Sequence, residues 1–263
     1  MAKLKVNLEE GNGVFYAHAA EFLGCCGSAT TKDDAINALL KDVKNYSEWL
    51  LSKDFTNDYM KKAKDFLAGI NELQVIEEIT GVASLGTDTG ASALFKSDQE
   101  DINEEDFEFF IEVIRTLPEG LMKIVFQYSN EQREREILAE HPTINQALAK
   151  IYTTELFYIS RFIDEIEQKF FEAIKLTKDE LESLSLYERI IKVQQGYIAL
   201  LRRYYANHAG KTYSFKEDPE YPSEDWTIRK IVRRLIEHER ECINTIRFLV
   251  DELDRTLATE KTE

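Results

Sequence analysis

Residues 226–242 read Trp226-Thr-Ile-Arg-Lys-Ile-Val-Arg-Arg-Leu-Ile-Glu-His-Glu-Arg-Glu-Cys242. Apolar residues recur in this stretch at every third or fourth position, which is the spacing of one face of an α-helix. The face holds Ile228, Ile231, Leu235, His238, Cys242 and, beyond the quoted stretch, Leu249. We therefore predict an amphipathic helix from Trp226 to about Leu257, with His238 and Cys242 on its inward side.

Three further helical patterns precede this one, with no strand signal between them. They cover about residues 104–128, with a kink expected at Pro118, a long segment from 144 to 170, and residues 186–205. Four amphipathic helices within roughly 160 residues predict a four-helix bundle, because each must bury its apolar stripe against another.

The first hundred residues follow a different pattern. Residues 3–18 alternate in the strand manner around the turn Glu9-Glu-Gly-Asn12 and predict a β-hairpin. A third strand is expected around Cys25, and Thr31 is a suitable N-cap for a helix over about residues 32–50. The order is therefore β-β-β-α.

The segment after this helix leads to a domain boundary. Residues 55–70 continue helically, and residues 73–96, which include the glycine-rich stretch 81–90, predict one or two strands joined by a turn. Residues 96–106 are polar and acidic, so we place the boundary near residue 100, between domains 1–100 and 101–263. Whether residues 55–100 belong to the first domain or form their own sheet is left open. The predicted fold class is α+β.

Composition excludes several classes of partner. The 263 residues carry a formal charge of −16, which disfavours a phosphate-binding nucleic-acid surface or an anionic membrane. No apolar run approaches the roughly 20 residues of a membrane span, and the first residues lack a signal-peptide core. Three cysteines, two of them adjacent, do not make a disulfide framework. We therefore expect a cytoplasmic protein with no nucleic-acid or membrane partner.

The first domain resembles HicB-like antitoxin domains. The resemblance rests on Phe15-Tyr-Ala-His-Ala-Ala-Glu-Phe-Leu-Gly-Cys25 and Thr31-Lys-Asp-Asp-Ala35, and covers about residues 3–51. Direct matches to the family pattern are Glu21, Gly24, Cys25, Thr31 and Ala35. The two turn prolines of that pattern are replaced by Ala20 and Leu23. The resemblance implies a module that binds and neutralises a small ribonuclease toxin, but the chain shows no accompanying DNA-binding segment.

The second domain is similar to the DinB family over roughly residues 104–256. Residues 226–242 resemble the last helix of that family, and residues 144–161 resemble its second helix. The resemblance implies an up-down-down-up four-helix bundle, a divalent metal held by three histidines, and pairing of two chains into a homodimer. Of the three expected ligands only His238 is present, because Lys150 occupies the first position and Cys242 the third.

These departures decide which metal chemistry is expected. A histidine and a cysteine four residues apart on a helix can chelate one zinc ion, and nickel is a further possibility. The ammonium group of Lys150 cannot coordinate a metal and repels a divalent cation. Glu155 could supply an oxygen ligand or act as the counter-ion of Lys150. The preferred interpretation is that His238 and Cys242 are core residues and that no cofactor binds.

The other reactive side chains are interpreted as structural. We expect the adjacent Cys25 and Cys26 to pack in a turn, His18 and His141 to lie at the surface or cap an element, and His208 to end a helix. The glycine-rich stretch 81–90 lacks the phosphate-loop and dinucleotide signatures. The basic residues Arg229, Lys230, Arg233 and Arg234 are expected on a solvated helix face, paired with nearby glutamates.

Three functions follow, and the first two are from different classes. The first is a non-catalytic binding or regulatory protein with a degenerate DinB-type metal site, forming a homodimer and binding a small molecule or a protein. The alternative is a metal-dependent DinB-type enzyme that acts on a thiol cofactor or small molecule, with His238, Cys242 and Glu155 around the metal. A toxin-neutralising role of the first domain is a third. The catalytic residues, the ligand and the substrate are not specified by the sequence.

Overall fold

The computed structural model describes residues 2–87, 91–161, 165–215 and 222–260. Contacts divide the chain into two compact units, and each unit combines separate segments. We call residues 1–110 with 208–237 the α/β unit, and residues 111–207 with 238–263 the helical unit. The predicted boundary near residue 100 separates two domains that would fold independently. The division into compact units does not test independent folding, so the boundary remains a prediction.

The α/β unit is built on a four-stranded sheet with the strand order β3-β2-β1-β4. Strands β1, β2 and β3 form an antiparallel meander, while β4 runs parallel to β1. The strands are β1 (Ala2–Gly11), β2 (Val14–Ala19), β3 (Cys26–Ala29) and β4 (Ile70–Thr80), with helices α1 (Lys32–Leu51) and α2 (Asp58–Ala68) between β3 and β4.

Local sequence explains the meander and the start of α1. Asn12 and Gly13 both have positive φ, as a two-residue turn between twisted strands requires. The Thr31 side chain caps α1 by accepting the backbone N–H of Asp34 at 3.2 Å. The predicted hairpin, third strand and N-cap are therefore confirmed, as is the helix within residues 55–70.

Alternation along the strands gives the sheet two different faces. Ala17 is paired with both Leu8 and Gly27, and these residues share the face that packs against α1. The intervening residues Glu9, His18 and Cys26 therefore point to the opposite face. That second face is buried too, because Glu9 and His18 each have 0% relative exposure.

Residues 73–96 contribute one strand to this sheet. Strand β4 begins at Ile70, earlier than predicted, and its pairing with β1 places it in the first sheet rather than in a sheet of its own. No second strand occurs among the described residues 81–87 and 91–96, and the glycine-rich stretch ends in residues 88–90, which lie outside the description. A short 3-10 helix follows at Lys96–Gln99.

The α/β unit also contains a hairpin that the sequence did not predict. Strands β5 (Tyr213–Phe215) and β6 (Glu224–Trp226) pair antiparallel directly before the last helix. The first ten residues of that helix, 228–237, belong to the same unit. The unit is thus completed by a segment far along the chain.

The helical unit contains only helices and loops among its described residues. The helices that contribute to it are α3 (Glu104–Val125), α4 (Asn130–Arg133), α5 (Ile144–Ser160), α6 (Ile166–Ile174), α7 (Lys178–Ser183), α8 (Leu186–His208) and α9 (Ile228–Glu260). Helices α3 and α9 have residues in both units, as does α8 through its last residue, His208. The mixed α+β class is confirmed, whereas the up-down-down-up path remains a prediction.

The single long helix predicted over residues 144–170 is wrong. Helix α5 ends at Ser160 with Arg161 as its C-cap, and α6 begins only after Glu165. Glu165 has φ 56°, a left-handed conformation that an α-helix does not pass through. Helix α3, by contrast, continues past Pro118 to Val125. In the described part of the chain, no helix has the length and apolarity that crossing a membrane requires.

Gly27 provides a test of how β3 packs on α1. A Cβ atom at Gly27 would lie 2.2 Å from the backbone nitrogen of Leu39 and 2.5 Å from the Ala35 carbonyl oxygen. We expect Gly27→Ala to lower the free energy of unfolding by about 2 kcal/mol or more, because backbone atoms would have to move apart.

Gly120→Ala is the matched control for this prediction. Gly120 lies inside α3 with nothing within 4 Å of its added Cβ, so alanine should stabilise the protein by up to about 1 kcal/mol. Urea denaturation of both variants measures the two effects. A Gly27→Ala protein as stable as the Gly120→Ala protein would contradict the close packing.

Candidate functional site

The sheet face opposite α1 carries a group of buried charged side chains and one half-buried cysteine, which we call the His18 cluster: Glu9, His18, Asp98, Arg233, Glu237 and Cys26. They come from β1, β2, β3, the 3-10 helix and the start of α9, all within the α/β unit. Asp98 and Arg233 each have 1% relative exposure and Glu237 has 5%. Charges removed from water to this extent must be paired to be tolerated.

His18 lies between two carboxylates. Its Nδ1 is 2.9 Å from Oε1 of Glu237, and its Nε2 is 2.9 Å from Oε1 of Glu9. An ionised carboxylate only accepts hydrogen bonds, so both ring nitrogens donate and His18 is an imidazolium. Burial by itself lowers the pKa of His18, but Glu237 and Cys26 together raise it, and the pKa lies well above its ordinary value.

Arg233 is the second cation of the cluster. Its Nε and one terminal nitrogen each donate to Asp98 at 2.9 Å, in the bidentate geometry that guanidinium and carboxylate share. Its other terminal nitrogen lies 3.4 Å from Oε2 of Glu237, which also accepts from Arg234 at 3.0 Å. Burial alone would raise the pKa of Glu237, but these cations and His18 lower it to about 2.

Two interpretations drawn from the sequence are wrong here. His18 is neither a surface residue nor a cap, since it has 0% relative exposure. The basic residues at the start of α9 do not form a solvated face, because Lys230 and Arg233 are 0% and 1% exposed. Lys230 donates to the backbone carbonyls of Ser92 and Asp225, and burial lowers its pKa to about 8. One signal in the sequence could have indicated this cluster. Glu9 and His18 alternate with apolar residues on strands that are buried on both faces.

The sequence-predicted pair, His238 and Cys242, is brought together in the helical unit. The Sγ atom of Cys242 lies 3.3 Å from Nε2 of His238, one helical turn away on α9. Cys242 is buried and His238 half-buried, while Lys150 on α5 is exposed. Burial raises the pKa of the Cys242 thiol to about 12.

This pair does not fit the three-ligand metal site that the DinB resemblance implies. Nitrogen and sulfur bound to one zinc ion lie about 3.5 Å apart, so His238 and Cys242 could share a metal. Among the described residues, however, only His18, Cys26 and Glu237 form a group of three possible ligands, and none of these belongs to the helical unit. The helical unit thus offers two clustered ligand atoms and an exposed lysine where the family has histidine.

Glu155 lies in a separate buried acidic pair with Glu239. Their relative exposures are 3% and 2%, and one oxygen of each has no hydrogen-bond partner. Burial raises the pKa of both carboxyls well above the ordinary value, and the neighbouring Glu155 raises that of Glu239 further. The Tyr197 side chain is also buried and lies beside both carboxyls. Both carboxyls are therefore protonated far above the pH at which an exposed glutamate ionises.

The helical unit also carries an open groove of about 1490 Å³, which we call the cationic groove. Apolar side chains from α3 and α8 make most of its wall, and four described lining residues are cations against one acid. The lining includes Arg115, Glu119, Met122, Lys123, Phe126, Arg133, Tyr187, Ile191, Ile198 and Arg202. No described lining residue is a histidine or a cysteine.

His141, His208 and Cys25 have structural surroundings. His141 is exposed and lies 5.8 Å from the ring of Phe248. His208 is the last residue of α8, as predicted, and its Nδ1 meets the hydroxyl of Tyr213. Cys25 is a fully buried free thiol. The expectation that both adjacent cysteines pack in a turn is wrong for Cys26, which is the first residue of β3.

Comparisons with known proteins give a likeness to a solved structure. No protein-family model and no curated protein matches this chain. A solved structure, YfiT from Bacillus subtilis, is described as "a probable metal-dependent hydrolase with an unusual four-helix bundle topology". It shares 16% identity at a TM-score of 0.41, over 64% of this chain and 95% of that one. At this TM-score the likeness is too small to assign a fold or an activity, so the HicB-like and DinB-like resemblances remain proposals.

Glu237 and Glu239 lie two residues apart and are both buried, yet they should respond in opposite ways to loss of charge. Glu237→Gln breaks a buried charge network, so we expect the free energy of unfolding at pH 7 to fall by about 3 kcal/mol. Glu239→Gln removes a carboxyl that folding holds protonated, so we expect a gain of about 1 kcal/mol.

The pH dependence supplies the control for Glu239. Because its folded-state pKa lies above the unfolded value of about 4.3, the unmodified protein loses stability as pH rises past that value. The advantage of Glu239→Gln should therefore grow between pH 5 and pH 8, as measured by urea denaturation at each pH. An equal loss of stability in both variants would contradict the assignment of opposite charge states.

Proposed function

We propose that the protein is a non-catalytic binding protein whose helical unit holds a small amphipathic anion in the cationic groove. The observation that carries the proposal is the groove's charge. Four cations and one acid line it, in a chain whose formal charge is −16. A cationic surface of this kind attracts anions out of proportion to the charge of the whole protein.

The apolar wall specifies the rest of the ligand. Phe126 and Tyr187 are 36% and 45% exposed, and their ring centroids lie 5.2 Å apart in an edge-to-face arrangement. Met122, Ile191 and Ile198 extend the apolar lining. Exposed aromatic side chains next to an apolar groove are typical of a site that receives a hydrophobic group.

Arg133 is suited to receive the anionic group. Its guanidinium stacks 4.5 Å from the centroid of Phe126 and donates to the carbonyl of Tyr128 and the side chain of Asn145. No described carboxylate forms an ion pair with it, whereas Arg115 is neutralised by Glu112 and Glu119. Guanidinium binds carboxylate and phosphate groups in a fork geometry, so Arg133 can hold either head group.

Binding of the fluorescent anion 1-anilinonaphthalene-8-sulfonate tests this proposal. We expect saturable fluorescence enhancement with the folded protein, and about tenfold weaker binding in Arg133→Gln because a charge-assisted contact is lost. Phe126→Ala should also weaken binding through the lost apolar contact. Decanoate should displace the dye at concentrations at which decanol, which has the same chain and no charge, does not.

Arg135→Gln is the matched control for this experiment. Arg135 lies two residues from Arg133, but it pairs with Glu260 and does not line the groove. Its variant should bind the dye as the unmodified protein does. Equal displacement by decanoate and decanol, or dye binding unchanged in both Arg133→Gln and Phe126→Ala, would refute the proposal.

The second candidate function is a metal-dependent enzyme of the DinB type, favoured by the 3.3 Å separation of His238 and Cys242. Metal analysis of protein purified without a histidine tag tests it. Stoichiometric zinc or nickel that disappears in His238→Ala would support a metal centre in the helical unit. The same preparation, run on a sizing column, tests the proposed homodimer against the 30.5 kDa mass of one chain.

A further inference from the structure

We propose that His18, Cys26 and Glu237 form a zinc-binding site in the α/β unit. The three residues supply an imidazole nitrogen, a sulfur and a carboxylate oxygen, and these atoms all lie within 4.8 Å of one another. This site is independent of the cationic groove and of the His238–Cys242 pair, which belong to the helical unit.

Strand pairing brings two of the ligands together. His18 on β2 and Cys26 on β3 are direct cross-strand partners, so their side chains leave the same face of the sheet side by side. Glu237 on α9 reaches the same point, with its Oε1 2.9 Å from Nδ1 of His18. Ligands of one zinc ion lie about 3.5 Å apart, so small side-chain rotations are enough to close the site around the metal.

The partners of these residues already have the arrangement that zinc sites use. Glu9 is hydrogen-bonded to Nε2 of His18 at 2.9 Å, so Nδ1, which lies 2.9 Å from Oε1 of Glu237, is the ring nitrogen left for the metal. A carboxylate on the far nitrogen of a ligating histidine fixes its orientation and increases its basicity. Arg234 likewise holds Oε2 of Glu237 at 3.0 Å, which leaves Oε1 available to the metal.

The charge of the cluster is unchanged by zinc. On binding, the proton on Nδ1 of His18 and the proton on Sγ of Cys26 pass to solvent, and bonds from zinc to nitrogen and sulfur replace them. Two protons leave as one divalent cation enters, so no net charge is added to the buried cluster. Water can fill the fourth position of the tetrahedron.

Arg233 is the neighbour that zinc must tolerate. One terminal nitrogen of Arg233 lies 3.2 Å from Nδ1 of His18. This guanidinium nitrogen already faces a positively charged ring, and zinc takes the place of the Nδ1 proton of that ring. The rest of the guanidinium is fixed on Asp98. Cys26 is half-buried on the edge strand β3, so the route for the metal lies at this edge of the sheet.

Cobalt(II) titration of the full-length, tag-free protein tests the site. Cobalt in a tetrahedral site with a thiolate ligand gives a sulfur-to-metal charge-transfer band, which reports cysteine ligation directly. We expect one equivalent of cobalt to produce this band and zinc to abolish it. Glu9→Gln should weaken cobalt binding about 10–100-fold, because the ligating histidine loses its orienting carboxylate.

Cysteine variants separate this site from the one in the helical unit. The band should be absent in Cys26→Ser and retained in Cys242→Ser, with thermal unfolding confirming that each variant is folded. Cys26→Ala replaces Cys26→Ser if serine impairs folding. A band lost in Cys242→Ser but kept in Cys26→Ser, or no saturable band in the unmodified protein, would overturn the proposal.

Discussion

The hydrogen bonds of His18 to Glu9 and Glu237 are the contacts on which the α/β unit depends. They join residues 9, 18 and 237, so the chain must complete almost its whole length before the cluster closes. Removing these charges from water costs several kcal/mol for each ion, and only mutual pairing offsets that cost. Arg233 and Asp98 complete the pairing, which explains why the start of α9 belongs to the unit formed by the first residues of the chain.

Much of the local structure follows from local sequence. The hairpin of the first two strands, the N-cap at Thr31 and the stripe that begins at Ile228 each depend on neighbouring residues, and each was predicted. The turn itself lies at Asn12 and Gly13 rather than over Glu9–Asn12, because β1 continues to Gly11. The parallel pairing of β4 with β1 and the break of the helix near Arg161 depend on contacts or conformations that periodicity does not encode.

The candidate sites also differ in whether neighbouring residues or distant contacts bring their side chains together. His238 and Cys242 share a helix, so their spacing placed them within 3.3 Å of each other. The residues of the His18 cluster come from three strands, a 3-10 helix and the last helix, so no local sequence pattern predicts that they meet. Glu237 and Glu239 make the point most clearly, since two opposite sides of one helix turn place one carboxyl among cations and the other beside a second acid.

A double-mutant cycle on Asp98 and Arg233 tests most directly whether mutual pairing holds the cluster together. Asp98→Leu leaves Arg233 with only its longer contact to Glu237, and Arg233→Met leaves Asp98 without its bidentate partner. Each variant should therefore lower the free energy of unfolding by about 3–5 kcal/mol. The double variant removes both charges and should cost at least about 2 kcal/mol less than the sum of the single changes. Single changes that add to within about 0.5 kcal/mol would contradict the account.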